Sequence, residues 1–187
     1  MQGDEGRGCI LAVAGRRIDA AGAAPARFPL SQAERVSADL RRLMISTRAV
    51  AVVASAANGA DLLALQTAGD LGLRRIVVLP CAASAFRSSS VADRPGDWGP
   101  LFDRIVGEVR ASGSLVEHEL GQGADAYARV TEELIARVGE MAANEGLRAA
   151  AVAVWDGASR GEGDMTAYFR RLAVERGFDL HEVGTLP

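Results

Sequence analysis

The chain has 187 residues, 49% of them hydrophobic and 24% charged, which is the balance of a folded chain with room for a sizeable buried core. Its net charge of −3 offers no general attraction to nucleic acid or an anionic membrane, and all 21 basic residues are arginine, a forked donor suited to phosphate or carboxylate. Cys9 and Cys81 lie far apart and form no CxxC motif, and neither His118 nor His181 has zinc-ligand spacing, so no metal and no cofactor is expected.

The N-terminal MQGDEGRG is polar and lacks a basic region followed by an apolar stretch, and no apolar run is long enough to span a bilayer. The expectation is a cytoplasmic protein with no membrane partner. In chain order, CILAVAG (9–15) reads as a buried strand ending at a glycine, and 16–30 as a long connection rich in Ala, Gly and Pro. Ser31 with Glu34 three positions on reads as a capping box ahead of a helix whose apolar face is Val36, Leu40, Leu43 and Met44. AVAVVAS (49–55) is the second strand, and the helix that follows stops near Gly72.

RRIVVLP (74–80) is the third strand, closed by proline, and 81–97 reads as a polar connection able to serve as a lid. A helix over 98–110 tolerates Pro100 in its first turn. SLVEHEL (114–120) is a less buried strand near an edge, and 123–143 the longest helix, with Tyr127, Val130, Leu134, Val138 and Met141 facing inward. AAAVAVWD (149–156), a helix over 164–177 and FDLHEVGT (178–185) complete the alternation. The pattern predicts one α/β domain over 1–187, a three-layer Rossmann-like fold with a mostly parallel central sheet.

In such a sheet the strand exits gather on one edge, where ligands bind. Three exits carry unusual loops. The first supplies Gly15, Arg16 and Asp19, with Arg27 and Phe28 further along. The second, SAANGAD (55–61), supplies Ser55, Asn58, Gly59 and Asp61 at a helix start, where open N–H groups suit an anion; a plain capped turn is the competing reading. The third is WDGASRGEGDMT, with Asp156, Gly157, Arg160, Gly161, Gly163, Asp164 and Thr166; Asp164 is also a natural helix cap. Arg87 and Ser90 of the 81–97 segment add polar groups beside an aromatic wall, with Trp98 read as a packing anchor. No complete GxGxxG or GxxxxGK[ST] motif is present.

Taken together, GRRIDAAGAAPARFP, SAANGADLLALQTAGDLG, VVLPCAASAFRSSSV and VAVWDGASRGEGDMTAY resemble the SLOG superfamily. These Rossmann-like proteins are related at fold level to the lonely-guy phosphoribohydrolases and the DNA-processing A proteins. The resemblance is nearest to a poorly characterised bacterial branch, some members of which occur beside signalling domains. It implies binding or sensing of a nucleotide or nucleotide-derived small molecule at the carboxyl edge of the sheet. The alternative it implies is hydrolysis of an N-glycosidic or ribosyl bond, for which Asp61, Asp156 and Gln66 are the candidate catalytic residues. Gln66 stands where many relatives carry glutamate, Arg16 where a histidine is common, and GEGDMT where a tighter Gly-Gly-Thr is usual; these departures favour binding over hydrolysis. Ala-rich helix faces leave a homodimer open, and no nucleic-acid partner is expected.

Overall fold

The computed structural model describes residues 7–187; most of the polar N-terminal stretch read against a secretion leader, residues 1–6, lies outside them. Six strands, β1 (Cys9–Gly15), β2 (Ala49–Ala54), β3 (Arg74–Leu79), β4 (Leu115–Glu117), β5 (Arg148–Trp155) and β6 (Asp179–Gly184), form one sheet in the order β4-β3-β2-β1-β5-β6. Every ladder is parallel. The helices are α1 (Ala33–Ser46), α2 (Ala60–Asp70), α3 (Ala83–Ser90), α4 (Trp98–Ala111), α5 (Ala124–Glu145) and α6 (Met165–Glu175).

The two faces of the sheet have separate cores. Leu11, Val13, Val52 and Val152 pack with α1, α2, α3 and α4, while Ile10, Ala12, Val53 and Ala151 pack with α5 and α6. β1, β2 and β5 are apolar on both sides for this reason, and they read as continuous rather than alternating runs. The strands progress outward from β1 in one direction through β4 and then restart on its other side at β5. The reversal between β1 and β5 is the switch point at which an open α/β sheet leaves a crevice at its carboxyl edge.

Two local expectations are corrected. Ser31 does not cap α1: Leu30–Gln32 form a 3-10 turn, and Gln32 occupies the cap position with no side-chain cap hydrogen bond. Placed inside the extra turn, Ser31 is no longer at the helix boundary. The 81–97 connection is not uniformly irregular either, because Ala83–Ser90 are helical. Its serine-rich sequence has modest helix propensity, and tertiary contacts decide the matter. Glu117 Oε1 accepts from the Ala83 N–H at 2.7 Å, and Phe86 stacks on Phe102 with centroids 6.2 Å apart. The expected stop at Gly72, Pro100 in the first turn of α4 and the Asp164 cap of α6 all occur.

Gly15 lies against β5 with no room for a side chain. A Cβ there would lie 2.2 Å from the Val154 carbonyl oxygen and 2.8 Å from the Ala60 Cβ. Gly15→Ala therefore forces backbone apart and is expected to cost about 3 kcal/mol in urea unfolding.

Candidate functional site

At the carboxyl edge of β1 and β2 the structure holds a cleft of about 580 Å³. One wall is apolar and aromatic: Tyr127, Val130 and Leu134 of α5 with Phe86 of α3 and Met165 of α6. The lining also carries Arg16, Arg17, Arg27, Arg94 and Arg160, together with Asp19 and Asp61. The long helix α5 explains the wall. Its 22 residues extend about 33 Å, whereas the 8 residues of β5 extend about 26 Å, so the helix outruns the sheet it covers.

Arg16 is 3% exposed and spends its fork inside the protein. Its Nε donates to Asp156 Oδ1 at 2.8 Å, Nη1 to Asp164 Oδ1 at 2.7 Å and Nη2 to the Ala158 carbonyl at 2.6 Å. Arg27 Nη1 reaches Asp156 Oδ2 at 2.6 Å, so that carboxylate is gripped from both sides. Asp164 additionally accepts from the backbone N–H groups of Arg160, Thr166 and Ala167. Burial by itself would raise both carboxyls, but the Arg16 guanidinium and the hydrogen bonds outweigh it and hold Asp156 and Asp164 below the ordinary carboxylate value. The group is a clasp that ties the loop after β1 to the glycine-rich loop after β5.

The second exit is likewise closed on itself. Asn58 is fully buried: its Oδ1 accepts from the Ile18 N–H at 3.1 Å, and its Nδ2 donates to the Ser90 and Val91 carbonyls. Gly59 takes φ +87°, and a Cβ would meet the Arg16 carbonyl oxygen at 2.7 Å. The N–H groups of Ala57, Asn58 and Ala60 donate to Asp61, Ser90 and Arg16 respectively. The expectation of open main-chain donors here is therefore corrected for these three groups, since tertiary contacts saturate them.

Asp61 is different. It is 8% exposed, lines the cleft and accepts from the Ala57 N–H at 3.2 Å. Burial lifts its carboxyl from an ordinary value of 3.8 to about 7, opposed by the Ala57 hydrogen bond and the charge of Arg17. At neutral pH it can both give and take a proton. Ser90 is also buried and lines the cleft, with Oγ 3.2 Å from Tyr127 Oη.

Of the residues singled out from sequence, Gly15, Arg16, Asp19, Ser55, Asp61, Ser90, Arg160 and Thr166 come together around the cleft. Asn58, Gly59, Asp156 and Asp164 stand behind it and hold its loops in place. Gln66 does not line the cleft, nor do the exposed Gly157, Gly161 and Gly163. Arg87 turns to another recess, where it pairs with Asp103 at 2.8 Å. Sequence reading missed Arg17, Arg94 and Thr131 as lining residues, and it read the Tyr127–Leu134 face as core only. The length of α5 was the available signal; the two arginines carried none.

Among the described residues there is no group of three or more His, Cys, Asp and Glu side chains placed to hold a metal, and no helix is long and apolar enough to cross a membrane.

No protein-family model and no curated protein matches the chain. Among solved structures, it is similar to DNA processing protein A (DprA) from Streptococcus pneumoniae, at 14% identity and a TM-score of 0.45, covering 95% of this chain and 59% of that one. It is also similar to the Moco carrier protein from Chlamydomonas reinhardtii, at 17% identity and a TM-score of 0.35, covering 94% of this chain and 89% of that one. The chain thus spans about three fifths of the DprA chain. Both are distant likenesses of fold.

Proposed function

We propose that the cleft binds a nucleotide or a nucleotide-derived small molecule. The observation that carries this reading is one space at the carboxyl edge lined both by apolar and aromatic side chains and by guanidinium groups. A flat base packs against Tyr127, Val130 and Leu134, and an anionic group turns to the arginines. The five lining arginines meet only three carboxylates in ion pairs, Asp93, Asp156 and Asp164, which leaves the lining receptive to negative charge. The volume suits a mononucleotide-sized guest.

A thermal-shift panel of nucleotides, cyclic nucleotides and ADP-ribose derivatives tests the reading. A ligand at 100 times its Kd adds about 2.7 kcal/mol of stability, and Tyr127→Ala should weaken its binding about tenfold. If no member of the panel moves the melting midpoint, the reading fails.

Asp61 favours a second reading, hydrolysis of an N-glycosidic or ribosyl bond, because it is a cleft-lining carboxyl poised near neutrality. Base or ribose phosphate release by the wild type, lost in Asp61→Asn with binding retained, would establish it. Binding without turnover would leave the sensing role alone.

A further inference from the structure

Arg17 and Arg94 come from different loops, the first following β1 and the second following α3, yet both line the cleft and both face one carboxylate, Asp93. Arg17 Nη2 donates to Asp93 Oδ1, and Arg94 Nε lies 3.4 Å from Asp93 Oδ2. The buried Asn58 steadies the same carboxylate, its Nδ2 lying 3.3 Å from Oδ1. The Nε–H groups of Arg17 and Arg94 are both buried and make no hydrogen bond among the described residues. Unmade donors of this kind call for an acceptor that the protein itself does not supply.

An exchangeable carboxylate is a poor fit for two guanidinium groups. It has two oxygens, and its 3.4 Å contact with Arg94 Nε is an ion pair that makes no hydrogen bond. A phosphate has more acceptor oxygens, matches forked donors and carries more charge. Asp93 is about a third exposed, so the contact it makes is weak enough to be displaced. The Arg16 clasp offers no such opening, because both of its carboxylates are buried and fully engaged.

We propose that Asp93 is a placeholder for the phosphate of the guest, occupying the fork of Arg17 and Arg94 until that phosphate displaces it. The fork is then the phosphate subsite of the cleft, and Asp93 lowers its affinity by competing from within. This rests on the nucleotide reading only for the identity of the rest of the guest; the subsite itself concerns the phosphate.

Isothermal titration of the full chain with inorganic pyrophosphate, adenosine 5′-monophosphate and adenosine tests the assignment. Asp93→Asn keeps the shape and the contact with Asn58 and removes the competing charge. It should tighten pyrophosphate and the monophosphate about fivefold and leave adenosine unmoved. Arg17→Ala and Arg94→Gln should each weaken the two phosphate compounds about tenfold. Asp70→Asn, which removes the same charge from the exposed pair with Arg41, controls for net charge and should shift neither by more than about twofold.

If Asp93→Asn binds the phosphates no better than Asp70→Asn does, or pyrophosphate binds no variant at all, the placeholder is wrong. If the monophosphate binds the wild type with an affinity that Asp93→Asn leaves unchanged, the placeholder falls and the nucleotide reading stands. If pyrophosphate responds as expected while no nucleotide binds more tightly than pyrophosphate, the subsite stands and the nucleotide reading falls.

Discussion

Arg16→Ala is expected to destabilise the protein by about 3–5 kcal/mol in urea unfolding. The substitution strands two buried carboxylates, Asp156 and Asp164, that have Arg16 as their common partner. Removing the shared partner of a buried ion network costs more than the pairs contributed, because Asp156 is left with only the partly exposed Arg27, and Asp164 with backbone N–H groups and the exposed Arg160. Arg27→Ala should cost about 1 kcal/mol, since that side chain is partly exposed and Asp156 keeps Arg16. Arg16→Lys is expected to fall between the two, as one ammonium cannot reproduce three directed hydrogen bonds to separate acceptors. An Arg16→Ala variant within about 1 kcal/mol of the wild type would show that the two loops do not depend on this clasp.

Asp61→Asn is expected to stabilise the protein above pH 7 by about 4 kcal/mol and to do almost nothing near pH 4. The folded carboxyl titrates at about 7 against 3.8 when unfolded, so between those values the folded state holds the extra proton. Stability therefore falls as pH rises from about 4 to about 7, at up to about 1.4 kcal/mol per pH unit, and is level above that. Asparagine keeps the acceptor for the Ala57 N–H and removes the titration. Asp156 and Asp164 contribute with the opposite sign: their folded values are depressed, so what they add is present above about pH 4 and is lost below it. Unfolding curves of both proteins from pH 3 to pH 9 separate the two effects. A constant difference across that range would remove Asp61 as a buried titrating group and, with it, the physical basis for its acid–base role.

Asp61 holds the Ala57 N–H and lines the cleft as a buried carboxyl, and a perturbed carboxyl in a cleft is the pattern on which the acid–base reading is proposed. Asn58 shows the contrast. It is fully buried, every polar atom of its amide is used, and its work is to fasten α2, the loop after β1 and the end of α3 together.

The order of the elements was legible along the chain because each depends on local pattern. Apolar runs such as CILAVAG and AAAVAVW read as strands buried on both faces within an alternation of elements, and Asp164 before an amphipathic run caps a helix through its own neighbours. Helix α3 was not legible, since ASAFRSSS becomes helical through Glu117 and Phe102, residues far along the chain. The cleft was half legible for a related reason. That the loops after β1, β2 and β5 gather on one edge follows from parallel topology, which the alternation of elements already implies.

What each loop residue does at that edge is another matter, settled by contacts between distant segments. Arg16, Asp156 and Asp164 have the composition of a ligand site, and they satisfy one another. Arg17, next to Arg16 in the chain, ends in the cleft with an unmade donor. Which chemical groups reach the carboxyl edge follows from strand order and periodicity, both written locally along the chain. Which of them remain available to a guest depends on pairings across 76 residues, as for Arg17 with Asp93, or 148, as for Arg16 with Asp164, and no local pattern encodes those.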